Sequence, residues 1–434
     1  MNALCGQACS EMTPRCLRTA ERRHAYDTQC WAAQSMPCTC NLQGEVVVEG
    51  LENPWDMAFL DDGTMLFTEK CKGLSVRMLD GVINKLYGVG DTDGYASNGT
   101  DLFCEGQAGM MGVAFDPDFD DNRRIYVYST SRMSDPHTNR LMRFRLSEDF
   151  SEVSNRTDIV DDVPYKMAAS DHPFGGPGAH NGGRVRFDAK GALWLTTGDN
   201  HNREIPQSPE LMGSKVLRIG TDGNAHPDNA PPVGFDKRTF TYGHRNVQGI
   251  AFNPATGAVV TAEHGPWHSD EITVLENGGN AGWDPRDNMA GRGDCPDGYC
   301  GYMPNQNEGM NRFERAAFMP MTDLQTYPDA MEPVWSNNGW SQGTCAAVFL
   351  RGDQWGNWDG AMAVGIMGIG FGRTPIGQRI DIIEFNDDGT GVVDVTEMTL
   401  PMESGRFRAL EQGPDGSLYT AVDGGAIYKM TPGS

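Results

Sequence analysis

The chain has 434 residues, 59 of them acidic against 35 basic, for a formal net charge of −24. A surface of that sign repels phosphate backbones and argues against nucleic-acid binding, and no run of eighteen apolar residues offers a membrane span. Glycine supplies 54 positions, well above its usual share, which calls for a fold of many turns rather than long helices.

Residues 1–42 differ from the rest of the chain. They hold six of the eleven cysteines (Cys5, Cys9, Cys16, Cys30, Cys38 and Cys40) and read as a cysteine-rich N-terminal extension, with Ser10 to Gln34 suited to helix. No secretory apolar core stands at the N-terminus as given, so an exported chain would have lost its signal. The remaining cysteines are Cys71, Cys104, Cys295, Cys300 and Cys345. Cys295 and Cys300 flank an acidic turn they can close, and Cys71 with Cys104 is a second candidate pair. An odd total leaves at least one thiol over. This usage points to disulfides and an oxidising compartment, periplasmic or secreted.

From residue 43 a single grammar recurs: strand, Asp/Pro/Gly turn, strand. Its copies are Pro54 to Glu69, Gly112 to Tyr128, Gly182 to Asp199, Gly249 to Glu263, a looser Ala347 to Gly365, and Ala409 to Ala421. Six such hairpins with long inserts predict an all-β chain, a six-bladed β-propeller over 43–434, in which closure protects the sheet edges. The rival is a set of unrelated hairpins. The longest inserts, about 130–180, 266–346 and 365–408, gather at blade ends and should carry function. The stretch from Trp283 to Trp340, rich in Gly, Asn, Asp, Pro and Met, reads as a long loop walling a pocket.

The residues with chemical promise stand at the starts and ends of these hairpins. His180 precedes one strand and Asp199 follows its partner, so the hairpin brings them together. A histidine oriented by a carboxylate can act as a general base; the plainer reading is a loop histidine that closes a turn. Gly182 and Gly183 let the backbone bend or approach a bound group. Arg245 and Asn246 precede the next inner strand, and the guanidinium fork suits an oxyanion or carboxylate, although a structural ion pair explains an arginine equally well. In Glu263-His-Gly-Pro-Trp-His-Ser-Asp-Glu271 the carbonyls of Gly265 and Pro266 are candidate Ca²⁺ ligands, with Asp270 and Glu271 bracing the loop; an ordinary turn is the alternative. Arg406 and Arg408 alternate about Phe407 and share one side of an extended segment. Gln107, ahead of the second copy, is a further lining candidate. Three arginines at blade starts in so acidic a chain argue for an anionic cofactor or substrate.

Taken in order, Gly106-Gln-x-Gly-Met-Met-Gly-x-Ala-Phe-x-Pro-x-Phe119, His180-x-Gly-Gly-Arg184, Gly198-Asp199, Gly243-His-Arg-Asn-x-Gln-Gly249, His264-Gly-Pro-x-x-x-Asp-Glu-Ile272 and Arg406-x-Arg408 resemble the soluble PQQ-dependent sugar dehydrogenases, which include the glucose, aldose sugar and sorbosone enzymes. The resemblance runs from about 45 to 430 and implies a six-bladed propeller. It implies that His180 is the base that takes the hydroxyl proton as hydride passes to the quinone, with Asp199 and Asp270 as acidic supports. It implies that Gln107, Arg245 and Asn246 contact PQQ, Arg245 polarising the reactive carbonyl, and that Arg406 and Arg408 grip its carboxylates. Gly265 and Pro266 would hold the Ca²⁺ that bridges protein and cofactor. The substrate would be an aldose, a sorbosone-like aldehyde or another alcohol, and the electrons would pass to an external acceptor.

Two positions depart from the family. The run Val364-Gly-Ile-Met-Gly-Ile-Gly-Phe-Gly-Arg373 has no lysine where the family commonly carries one, Arg373 being the candidate substitute, and Ala179 stands where Asp or Asn is frequent. Two other classes stay in view: a non-catalytic propeller that binds a glycan or protein, and a Ca²⁺-using propeller hydrolase such as a lactonase.

Overall fold

A computed structural model of the chain describes residues 42–167, 176–266, 268–285, 312–337, 339–368 and 377–433. The expected helix from Ser10 to Gln34, the Cys295–Cys300 closure and Arg373 lie outside these residues.

Six sheets stand in a ring, and the six hairpins read from the sequence are the inner hairpins of the six blades. Blade 1 consists of Pro54–Phe59, Met65–Glu69, Gly73–Arg77 and Ile83–Val89, with a short parallel strand Ser97–Gly99. Blade 2 is Met110–Phe115, Arg124–Ser131, Thr138–Leu146 and Val153–Pro164. Blade 3 is Val185–Phe187, Leu193–Thr196, Val216–Ile219 and Thr239–Thr241, and blade 4 is Val247–Phe252, Val259–Glu263, Glu271–Val274 and Trp335–Ser336. Blade 5 is Thr344–Phe349, Met362–Ile366, Arg379–Phe385 and Val392–Glu397. Blade 6 takes three strands from the C-terminal end (Phe407–Gln412, Leu418–Val422, Ala426–Pro432) and its outermost strand, Leu42–Val48, from the other end of the chain. That strand pairs antiparallel with register Leu42↔Pro432 and Gly44↔Met430, so the ring is sealed by hydrogen bonds between distant parts of the sequence.

The turn chemistry explains why the hairpins form where they do. In blade 3 the Asp188 carboxylate accepts from Lys190 N at 2.9 Å, Ala192 N at 3.0 Å and Trp194 Nε1 at 2.9 Å, while Gly191 supplies a positive φ of 81°. Asn253 and Asp415 do comparable work in blades 4 and 6, accepting from Ala255 N and Ser417 N. Among the described residues six apolar clusters are each shared by neighbouring blades: Leu66 and Leu74 meet Val113 and Ile125 between blades 1 and 2, and Met57 and Phe67 meet Ala409 and Ala421 between blades 1 and 6. Burial between blades, not within them, drives closure.

Toward the axis the packing turns ionic. Arg184, 1% exposed, pairs through Nη1 with the fully buried Asp56 of blade 1. Its Nε donates to Gln248 O of blade 4 at 3.0 Å and its Nη2 to Arg408 O of blade 6 at 2.8 Å, with Trp55 stacked 4.5 Å from the guanidinium. Arg186 adds a bidentate contact to Asp56, 2.9 Å on each oxygen, and reaches Glu411 at 3.0 Å. Burial pushes the Asp56 carboxyl up, and the two guanidiniums outweigh it, so the acid is held below its ordinary range.

Cys71 and Cys104 form a disulfide, and Cys345 is a buried free thiol. The bridge spans 33 residues between the end of the inner hairpin of blade 1 and the segment that leads into blade 2.

Breaking a buried pair by removing one partner typically costs about 3–5 kcal/mol. Arg184→Ala is therefore expected to lower the unfolding free energy from urea titration by an amount in that range, while Arg132→Ala, which removes an exposed donor to Thr100 O, leaves it nearly unchanged; equal values for the two variants would contradict the role given to Arg184. Because the Asp56 carboxyl is held low, its share of the stability is present at neutral pH and is lost as pH falls below the ordinary carboxylate range.

Candidate active site

The sharp bend at Gly182 and Gly183 serves a protein contact rather than a ligand. Gly182 has φ 63°, and a Cβ there would sit 2.6 Å from Thr197 Cα, so only glycine lets the segment cross the neighbouring strand so closely. The bend leaves His180 at φ 53° with its ring directed at the partner strand's end. His180 Nδ1 lies 2.6 Å from Asp199 Oδ1, and Asp199 is completely buried. The other carboxylate oxygen accepts from Trp283 Nε1 at 2.8 Å, and His201 N donates to Oδ1 at 2.8 Å. His201 also packs its ring against His180, centroids 4.1 Å apart.

On the opposite edge of the imidazole, Arg245 Nη2 stands 3.3 Å from His180 Nε2. A guanidinium has no acceptor to offer, and a carboxylate no proton. Both contacts thus select the tautomer with its proton on Nδ1 and its lone pair on Nε2. Burial, reinforced by the charges of Arg245, His264 and Lys166, holds the imidazole well below its ordinary range, so it is neutral at pH 7 and can accept a proton at Nε2 alone.

Arg245 and Asn246 are fixed by the end of the blade 4 hairpin. The Glu263 carboxylate accepts from the backbone N–H of Arg245 and, at 2.7 Å, of Asn246, and lies 3.0 Å from His244 Nδ1. The Arg245 side chain donates to His264 O at 3.0 Å and lies 5.8 Å from the Trp283 ring. Asn246 Oδ1 accepts from Gly182 N at 3.1 Å, and Asp199 N donates to Arg245 O at 2.8 Å, joining the histidine loop to the arginine loop.

Asp270 faces a different task from that of Asp199. Its oxygens accept from Gly265 N at 2.9 Å, Gln342 N at 2.9 Å, Thr344 N at 3.1 Å and Thr344 Oγ1 at 2.8 Å. It braces the Gly265-Pro266 turn against blade 5. With Gly265 N so engaged and proline lacking an N–H, the backbone carbonyls of this buried pair are its remaining polar groups, and among the described residues neither accepts a hydrogen bond. Oxygens left over in a buried turn are the donor set a hard divalent cation takes.

Arg406 and Arg408 converge on one acid that the sequence alone does not single out. Asp423 accepts from Arg406 Nε at 2.9 Å and from Arg408 Nε and Nη2 at 3.0 and 2.8 Å. Burial raises the Asp423 carboxyl, and the two arginines outweigh it and hold it low. Arg406 also donates to the carbonyls of Met367 and Gly368, at 3.1 and 2.8 Å. Gln107 hangs from Pro177 O by its backbone N–H at 3.0 Å, beside the loop that leads to His180. Asp423 had a readable signal: it follows the second strand of its blade as His264 follows that of blade 4. Trp283 carries no such signal, because it enters from the insert between the third and fourth strands of blade 4, where Met319 and Met321 bury it. That insert, expected as loop, also forms a helix, Arg312–Phe318.

A family model described as glucose/sorbosone dehydrogenase matches residues 51–429. The aldose sugar dehydrogenase YliI of Escherichia coli K12 is 27% identical over 411 residues, covering 93% of this chain and 95% of that protein. The solved apo form of the soluble aldose sugar dehydrogenase from Escherichia coli superposes with a TM-score of 0.69 at 26% identity, covering 90% of this chain and all of that one. The PQQ-bound aldose sugar dehydrogenase of Streptomyces coelicolor shares the fold, with a TM-score of 0.63 at 21% identity over 90% of this chain and 98% of that one. With a family match over most of its length and a propeller that carries the family's motifs at its blade ends, the chain belongs to the glucose/sorbosone dehydrogenase family.

Proposed function

We propose that this protein oxidises an aldose, a sorbosone-like aldehyde or another alcohol with PQQ and Ca²⁺, using His180 as the base. The observation that carries the reading is the buried Asp199–His180–Arg245 line, which leaves a neutral imidazole with one basic nitrogen, Nε2, at the propeller axis. The names of the aldose sugar dehydrogenase relatives support the substrate class, and the leftover carbonyls and arginine pair fit an anionic, metal-bridged cofactor.

When bound, the quinone supplies the hydride acceptor and the metal ion draws charge toward its oxygens. Gly265 and Pro266 would hold the metal through their carbonyls, with Asp270 fixing the turn. Arg406, Arg408, Gln107 and Asn246 would hold the cofactor. His180 Nε2 takes the proton of the substrate hydroxyl, and Asp199 keeps the ring in the tautomer that can do so and stabilises the cation that forms. Trp283, holding the second Asp199 oxygen, keeps that carboxylate from turning away. Arg245, fixed by His264 O and Trp283, presents its remaining N–H groups to oxygen atoms that gain negative charge.

His180→Ala is expected to lower turnover of the PQQ- and Ca²⁺-reconstituted protein by about 10²–10⁴-fold while PQQ uptake stays at the parent level; near-parent turnover in a dye assay over a sugar panel would remove His180 as the base. PQQ uptake itself is expected to vanish in a chelator and return with Ca²⁺, and equal uptake in both conditions would contradict the metal site. In the parent, the acid limb of kcat/KM should fall below the ordinary histidine range, because the base must be neutral and its folded-state pKa is lowered. A limb at or above pH 6.5 would assign the proton transfer to another group.

A further inference from the structure

Three blades place their residue after the second strand in the same way. Lys70 N donates to Asn53 O at 3.1 Å in blade 1, Met367 N to Gly343 O at 3.0 Å in blade 5, and Asp423 N to Arg406 O at 3.1 Å in blade 6. In each case the acceptor is the residue just before the blade's inner strand. Two of these positions meet at the arginine pair: Asp423 binds both guanidiniums, and the Met367 carbonyl accepts from Arg406. Blade 1 packs against blade 6, so the third position, Lys70, stands beside the same end of the channel.

Lys70 is half-buried, and its ammonium donates at an exposed position to Gly106 O at 2.7 Å, next to Gln107. Among the described residues no carboxylate pairs with it. Burial lowers its affinity for a proton, Arg408 lowers it further and Asp423 offsets part of this, so these are the charges it faces. Lys70, Arg406 and Arg408 bring three positive charges and Asp423 one negative, leaving two in excess. The Cys71–Cys104 disulfide fixes the arrangement, since it ties the residue after Lys70 to the segment that carries Gly106 and Gln107. Gly109 completes the seam: a Cβ there would lie 2.3 Å from Lys70 O. A lysine held in place by a bridge and a carbonyl, with uncompensated charge, is built to meet an anion.

We infer that Lys70 is a third cation of the cofactor clamp and contacts a carboxylate of the bound quinone together with Arg406 and Arg408; this rests on the PQQ reading given above. The test is titration of PQQ into the metal-loaded, PQQ-free protein, followed by tryptophan fluorescence at low and high salt. Lys70→Gln keeps an N–H for Gly106 O but removes the charge, and it should weaken PQQ binding about tenfold, the scale of one charge-assisted hydrogen bond. Lys70→Arg should stay close to the parent, and the loss in Lys70→Gln should shrink at high salt. The melting temperature of the PQQ-free variants should match the parent. A Lys70→Gln protein with parent affinity at both salts overturns the assignment, since the lysine would then serve only its carbonyl contact. A parent protein that takes up no PQQ overturns both this inference and the function on which it rests.

Discussion

The structure depends most on Arg184. A propeller must bring the inner edges of six sheets to one axis, where backbone and polar groups crowd and water is scarce. Here one guanidinium reaches blades 1, 4 and 6 from blade 3, satisfying Asp56, the carbonyl of Gln248 and the carbonyl of Arg408. A guanidinium is suited to this because its donors are fixed in a plane and point outward in several directions. The cost of burying the charge is offset by Asp56, which Arg186 shares. The same residue that closes the ring also fixes the backbone of Arg408, so the site above inherits its geometry from the plug below.

The site is made of blade ends, and each end is held by an acid that works on backbone or on a partner side chain. Glu263 gathers the N–H groups of Arg245 and Asn246, Asp270 gathers those of Gly265, Gln342 and Thr344, and Asp423 gathers two arginines. Asp199 alone is aimed at the imidazole. Three buried carboxylates and the half-buried Asp423 thus do different jobs, set by what faces them. Around Asp423 the cations Lys70, Arg406 and Arg408 outnumber the one acid by two, so an acidic chain still carries a cationic patch there.

The inner hairpins are legible because period-two alternation and Asp/Gly turns leave a local record, as at Asp188 to Gly191. His180 and Asp199 are legible because a hairpin's own geometry brings its ends together. Trp283 is not, since it reaches Asp199 across 84 positions from an insert without period. Lys70 is hidden for a related reason: its role depends on which blade lies next to which, and that emerges only from closure by the strand Leu42–Val48. The difference at Gly182 is instructive as well. Its sequence signal suggests room for a bound group, and the structure uses the room for the Thr197 backbone.

A crystal structure of the protein loaded with PQQ and Ca²⁺ tests the central claim most directly. The account predicts the quinone at the channel mouth, one face toward His180 Nε2, its carboxylates on Arg406 and Arg408, and the metal bound by the carbonyls of Gly265 and Pro266. Cofactor seated away from His180, or metal bound without those two carbonyls, would contradict it.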